Sequence, residues 1–214
     1  MLLEKALIFL FARKCFLCGK RNEESICEKC FNRIDKLQKM KVIEVENKNL
    51  NLLIYFFKYE KIIRRLILQF KFFNKPYLGK VFSKIILKNE KFCGKIKFYD
   101  IIIPVPMHKE KKNIRGYNQT ELISHEIAKN LNIKYDSKLL IKKMNTKMQS
   151  SLTEKERYKN VADVFDVINK CKIKDKKIIL IDDIYTTGAT LEECAKVLKN
   201  SGAKEVCGVV IAKD

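Results

Sequence analysis

Apolar runs of strand length alternate along this chain with stretches whose apolar residues recur at helical spacing. Residues 52–59 (LLIYFFKY) form a continuous apolar and aromatic run that reads as a strand. Over 62–71, Ile62, Ile63, Leu66, Ile67 and Phe70 fall on one side and Arg64, Arg65 and Lys71 elsewhere, the pattern of an amphipathic helix. A second helix is expected at 77–87, beyond the break at Pro76. Residues 100–105 carry Ile101, Ile102 and Ile103 and read as a fully buried strand stopped by Pro104 and Pro106. Helix signals return at 120–130; 177–181 (KIILI) is another buried strand, 191–200 a helix closed by Gly202, and 205–212 a last strand. Strands separated by helices predict an α/β fold, a mostly parallel sheet with flanking helices, whose ligands gather at the carboxyl ends of the strands.

With 214 residues, 47% of them hydrophobic and 33% charged, the chain accommodates one ordinary domain and a small appendage and is neither disordered nor fibrous. We read 1–50 as an N-terminal helix with a cysteine-rich element and 51–214 as the main domain. Lys+Arg number 45 against 25 Asp+Glu, a net charge of +20 that attracts polyanions: nucleic acid, phosphorylated small molecules or acidic lipid. Lysine interleaved with Ile and Asn carries the excess, and compositional bias explains it as well as a binding face does. The apolar run 6–12 is far short of the roughly 20 residues of a membrane span. It ends in Arg13-Lys14 and reads as an amphipathic helix, in a reduced cytosolic protein with no membrane span.

Cys15-x-x-Cys18 and Cys27-x-x-Cys30 are two closely spaced pairs. Two residues between ligands let each pair turn as a knuckle and present both thiolates to one ion, the pattern of a closed, structural four-cysteine zinc site. An iron–sulfur cluster or a redox dithiol are the other chemistries such thiols support. Cys93, Cys171, Cys194 and Cys207 are scattered.

The chain from Ile179 to Thr190 reads ILIDDIYTTGAT: a buried strand, two adjacent carboxylates, and a turn opening a helix. The amides of Thr186, Thr187, Gly188, Ala189 and Thr190 are placed where a helix start favours an anion, and Gly188 removes a Cβ that would block close approach. Threonine hydroxyls add donors for a phosphate, while Asp182 and Asp183 accept hydrogen bonds from vicinal sugar hydroxyls. Phosphate and diol together describe a pentose phosphate. The Walker lysine and the dinucleotide glycine spacing are absent. A helix-capping cluster with two solvated acids is the bland alternative.

This segment resembles the phosphoribosyl pyrophosphate motif of type I phosphoribosyltransferases. The whole chain resembles the ComF family of competence proteins, in which a four-cysteine zinc element precedes the transferase domain. A P-x-P segment leading to R-G-[FY]-N-Q is matched by Pro104, Pro106, Arg115, Gly116, Tyr117, Asn118 and Gln119. A T-x-x-Q-x-x-L-x-x-x-x-R-x-x-N pattern is matched by Thr146, Gln149, Leu152, Arg157 and Asn160. Lysines and other residues stand where members often carry arginines, at 109–113 and at Lys142, Lys143 and Met144; lysine keeps the charge and loses the bidentate fork.

The resemblance implies a type I phosphoribosyltransferase-like fold and a pyrophosphate loop at Val105, Pro106, Arg115 and Gly116. It implies a mobile loop with Lys142, Lys143, Gln149 and Arg157, closing over the site to exclude water. Residue by residue there are plainer roles: a strand stop for the prolines, a surface imidazole for His108, a solvated loop for the lysines after it, and a helix cap for the segment from Arg115 to Asn118. The implied cofactors are structural zinc and, if the transferase is active, magnesium with phosphoribosyl pyrophosphate. The implied function is competence, assisting uptake or cytosolic handling of single-stranded DNA, with an ATP-driven DNA translocase and a recombinase loader as partners. That work belongs to the cytosol or the inner face of the membrane. Tyr55, Phe56, Phe57 and Tyr59 fit either a strand track or the core. The alternative is an active phosphoribosyltransferase of nucleotide salvage.

Overall fold

The structure is a computed structural model and describes residues 14–22, 24–46, 48–146 and 153–214. The helix expected at 6–12 lies outside them. Two compact units divide the chain, Met1–Gln38 and Lys39–Asp214.

In the first unit the bridge between Lys14 and Arg21 closes a small loop around Cys15 and Cys18, with Gly19 at φ 73°, and Cys27 opens helix α1 (Glu28–Asp35).

The second unit begins with β1 (Lys41–Glu44), antiparallel to β2 (Leu52–Lys58), so residues 39–50 run with the sheet and not with the cysteine element. Three helices follow: α2 (Lys61–Phe72), α3 (Leu78–Leu87) and α4 (Glu90–Ile96). Next come β3 (Ile101–Pro104), α5 (Lys109–Arg115), α6 (Gln119–Leu131) and β4 (Lys134–Tyr135). An antiparallel pair, β5 (Leu140–Lys142) and β6 (Phe165–Val167), brackets α7 (Glu154–Val161). The chain ends with β7 (Lys177–Tyr185), α8 (Ala189–Asn200) and β8 (Glu205–Lys213). Among the described residues the main sheet has the order β1-β2-β8-β7-β3-β4 and is parallel throughout except at β1.

Strand alternation divides the core between two faces. Ile101, Ile103, Ile178, Leu180, Val206 and Val210 cluster with Leu191, Cys194, Ala195 and Leu198 of α8. Their neighbours Ile102, Ile179, Ile181 and Val209 are equally buried on the other face, where α6 packs on β3 and β7. Phe56 meets Phe92 of α4 edge-on at 5.0 Å, and Phe57 is fully buried, so both aromatics belong to the core and not to a surface track. From β3 the chain leaves toward β4, and from β7 toward β8, in opposite directions along the sheet. The carboxyl ends of β3 and β7 therefore flank the crevice that a parallel sheet offers to ligands.

No helix among the described residues is long and apolar enough to cross a membrane.

Candidate functional site

β7 does not stop at Ile181. It pairs with β8 as far as Tyr185, with Asp182 opposite Val210 and Tyr185 opposite Lys213. The two acids are therefore strand residues and alternate: Asp182 shares the face of Ile178 and Leu180, and Asp183 that of Ile179 and Ile181. The amide of Asp183 donates to Oδ1 of Asp182 at 2.8 Å.

On its face Asp183 is buried and fully engaged. Lys71 Nζ, from the end of α2, lies 2.6 Å from Oδ1, and Nε2 of Gln119, at the start of α6, donates to Oδ2. The same Gln119 accepts through Oε1 from Arg115, whose guanidinium lies over the Phe72 ring at 5.3 Å. A continuous chain thus runs Lys71–Asp183–Gln119–Arg115–Phe72. Lys71 and Gln119 complete this centre, and neither stood out as a site residue in the sequence. Lys71 ends an otherwise ordinary amphipathic helix, while Gln119 closes the R-G-Y-N-Q segment.

On the opposite face Asp182 is half-buried. Burial, and then the negative charge of Asp183, push its carboxyl up to about 7 against the opposing pull of Lys71 and Lys142. Lys142, at the end of β5, is itself lowered by burial and by Lys111; its Nζ donates to Thr146 Oγ1 at 2.8 Å. Lys111 of α5 donates to the Thr146 carbonyl, and Asn145 to Glu110. Residues 142–146 are in this way tied to α5 just before the segment in which Gln149 lies outside the described residues. Lys143 points away, pairing with Asp166 across the β5–β6 strands at 3.5 Å. Arg157 lies on α7, which opens with a Thr153–Glu156 capping box.

The residues after β3 are more ordered than a solvated loop. Val105 extends the ladder, its amide donating to Ile181, and its carbonyl accepts from Asn118 Nδ2 and Thr120 Oγ1. Asn118 Oδ1 caps α6 at the Thr120 amide, the capping role open to this segment in the sequence. Pro106 is half-buried. The lysines at 109–112 form helix α5, capped at its start by His108 and ended by Gly116 at φ 83°.

Thr186 and Thr187 lead into α8, whose N-cap Gly188 has φ 82°; Thr187 Oγ1 faces the Ala189 amide at 3.4 Å. A Cβ at 188 would collide with the ring and hydroxyl of Tyr185, so what approaches Gly188 closely is this side chain. Tyr158 of α7 donates its hydroxyl to the Thr187 carbonyl at 2.9 Å. Glu192, in the first turn of α8, accepts from Asn49 and from the Leu50 amide, fixing the strand-like approach to β2. Thr190 is half-buried at the helix start.

In the first unit the Sγ atoms of Cys15, Cys18, Cys27 and Cys30 all lie within 4.8 Å of one another, with Cys18 and Cys27 3.7 Å apart. A tetrahedral zinc with bonds of about 2.3 Å has sulfur–sulfur edges of about 3.8 Å, so the cluster fits the ion. Against the cost of burial, amides of Cys27, Cys18 and Leu17 bring the Cys15 thiol down to about 6. Burial and the neighbouring sulfurs push Cys30 up to about 12. Four thiols so close resist joint ionisation without a cation, and a divalent ion removes that conflict.

The phosphoribosyl transferase domain model matches residues 121–214, from α6 to the end of the chain. Together with the mostly parallel sheet and its flanking helices, this gives the second unit a type I phosphoribosyltransferase-like fold. The glutamine phosphoribosylpyrophosphate amidotransferase of B. subtilis aligns at 17% identity over 67% of this chain and 30% of that one, with a TM-score of 0.41. The chain is similar to competence proteins of the ComF type over about two thirds of its length, with the four-cysteine cluster ahead of the transferase-type domain. It is 30% identical over 145 residues to Competence protein F of Haemophilus influenzae and 31% identical over 150 residues to Competence protein ComFC of Streptococcus pneumoniae. These matches take in 66% and 70% of this chain, and the chain spans 63% of the length of each relative.

Proposed function

We propose that this chain is a competence factor that handles incoming single-stranded DNA on the cytosolic side, and that the end of β7 is a phosphoribosyl pyrophosphate-type binding site. The names of the two relatives support the first part. One observation carries the second: within a few residues β7 delivers a half-buried carboxylate, Asp182, and the amide-rich start of α8, beside the crevice between β3 and β7.

In this reading the amides and hydroxyls of Thr186, Thr187, Gly188, Ala189 and Thr190 receive the 5-phosphate. Asp182 accepts from a sugar hydroxyl. Asp183, already bonded to Lys71 and Gln119, holds the edge of the site rigid. Val105, Pro106, Arg115 and Gly116 line the pyrophosphate side, and Lys142, Lys143, Gln149 and Arg157 belong to the closing loop. Magnesium arriving with the donor would neutralise the pyrophosphate, and Asp182 would help to hold it. A DNA translocase and a recombinase loader are the partners the family reading implies. Zinc in the cysteine cluster has a structural part.

Calorimetry with phosphoribosyl pyrophosphate and magnesium tests the site. Wild type should bind the donor, and Asp182→Asn should lose binding with its fold intact; equal binding by both proteins sinks the assignment. Release of stoichiometric pyrophosphate with one member of a nucleobase panel would replace the binding module by an active salvage transferase.

A further inference from the structure

We propose that Phe72 and Phe73 form a stacking platform for a base of single-stranded DNA; the inference rests on the DNA-handling reading above. Both rings are left in solvent at the end of α2, 51% and 57% exposed, although α2 buries Ile63, Leu66, Ile67 and Phe70 of the same apolar set. Arg115 covers one face of Phe72, and the rest of the pair is an apolar surface open to a flat partner.

The corner that carries the pair is held rigid. Tyr117 stacks on Phe70 with ring centroids 5.8 Å apart, its hydroxyl bonds the Phe70 carbonyl, and the same oxygen accepts from the Lys75 amide at 3.1 Å. Phe72 and Phe73 are therefore presented from a turn clamped on both sides, which lowers the ordering cost of binding. Arg115 lies over Phe72 and is fixed in turn by Gln119.

Charge decides the occupant. Between Lys61 and Lys88 there are eight cations and no acid, and the aromatics are interleaved with them in the run Phe70-Lys71-Phe72-Phe73-Asn74-Lys75. A protein partner would need a matching acidic surface, and a membrane offers no flat aromatic face to stack on the rings. A single strand supplies phosphates for the lysines and an unpaired base face for the rings at once, which a duplex does not. The platform also joins the end of β7 through Phe72–Arg115–Gln119–Asp183. A strand threaded over it passes beside the proposed sugar-phosphate site.

The test is fluorescence anisotropy with labelled oligothymidylate and a matched strand of abasic units. Wild type should prefer the base-bearing strand by on the order of tenfold. Joint Phe72→Ala and Phe73→Ala should erase that preference while leaving abasic affinity, salt slope and zinc content unchanged, and the paired Tyr variants should retain it. A preference that survives both alanines overturns the platform and leaves DNA handling standing. Wild type that binds neither strand overturns the DNA-handling reading itself. A self-association in sedimentation that the alanine pair abolishes, with the base preference intact, reassigns the face to a second copy of the chain.

Discussion

Lys71 Nζ lies 2.6 Å from Oδ1 of Asp183 and joins the end of α2 to the carboxyl end of β7. The carboxylate is 4% exposed and the lysine 20%, so each would be left poorly solvated without the other. Lys71→Met strands a buried charge that Gln119 alone cannot balance, at a cost of about 3 kcal/mol, the low end for breaking a buried pair from one side. Adding Asp183→Asn should recover most of it, because the amide still accepts from Gln119. Urea denaturation of the two variants measures this; equal midpoints for single and double variants would show that the pair is not coupled.

Asp182 lends the fold a specific pH dependence. Its folded carboxyl stands at about 7 and the ordinary value is 3.8, so the native state holds a proton there that the unfolded chain has released. That contribution is full below pH 4 and falls away as pH rises toward 7, so stability should decline across this window. Asp182→Asn should flatten the decline and raise the midpoint at pH 8, as followed by thermal unfolding. On the proposed site assignment, donor binding should strengthen over the same range. A variant as pH-dependent as wild type would assign the titration to another group.

The isoleucine runs made the sheet legible, since fully buried strands leave few other readings for Ile101–Ile103 or KIILI. They also misplaced the end of β7: a charged pair interrupts the apolar run, yet pairing with β8 carries the strand on to Tyr185. The strand extension puts the two acids on opposite faces, Asp183 taken up by Lys71 and Gln119 and Asp182 half-buried. Helix α5 was hidden because KEKKNIR has no apolar period, and its residues lie at the surface. Lys71 was unreadable for a different reason: its partner is more than a hundred residues away, and nothing local marks a lysine that will meet a carboxylate.

Gly188 combines two constraints that are separable by mutation. At φ 82° any L side chain is strained, and a Cβ also meets Tyr185. Gly188→Ala should cost about 1–2 kcal/mol for the backbone alone, and more if the tyrosine cannot swing aside. In combination with Tyr185→Ala the steric part should vanish and the backbone part remain, giving a measurable coupling in a double-mutant cycle. Strictly additive losses would mean that the ring yields without resistance.

The cysteine cluster predicts a colourless protein whose metal is zinc, held by all four thiolates. Cys18 is the exposed member, so Cys18→Ser leaves the other three in place while opening the shell to water. Metal analysis should show one zinc per chain in wild type and little in the variant, and a strong chelator should release it over hours. The second unit has a hydrophobic core of its own, so hydrogen exchange of the β7 and β8 amides should stay slow when the metal is gone, while the α1 amides lose protection. Visible absorbance with bound iron would replace zinc by an iron–sulfur cluster. Loss of protection throughout β7 and β8 on chelation would make the metal a condition for folding the whole chain.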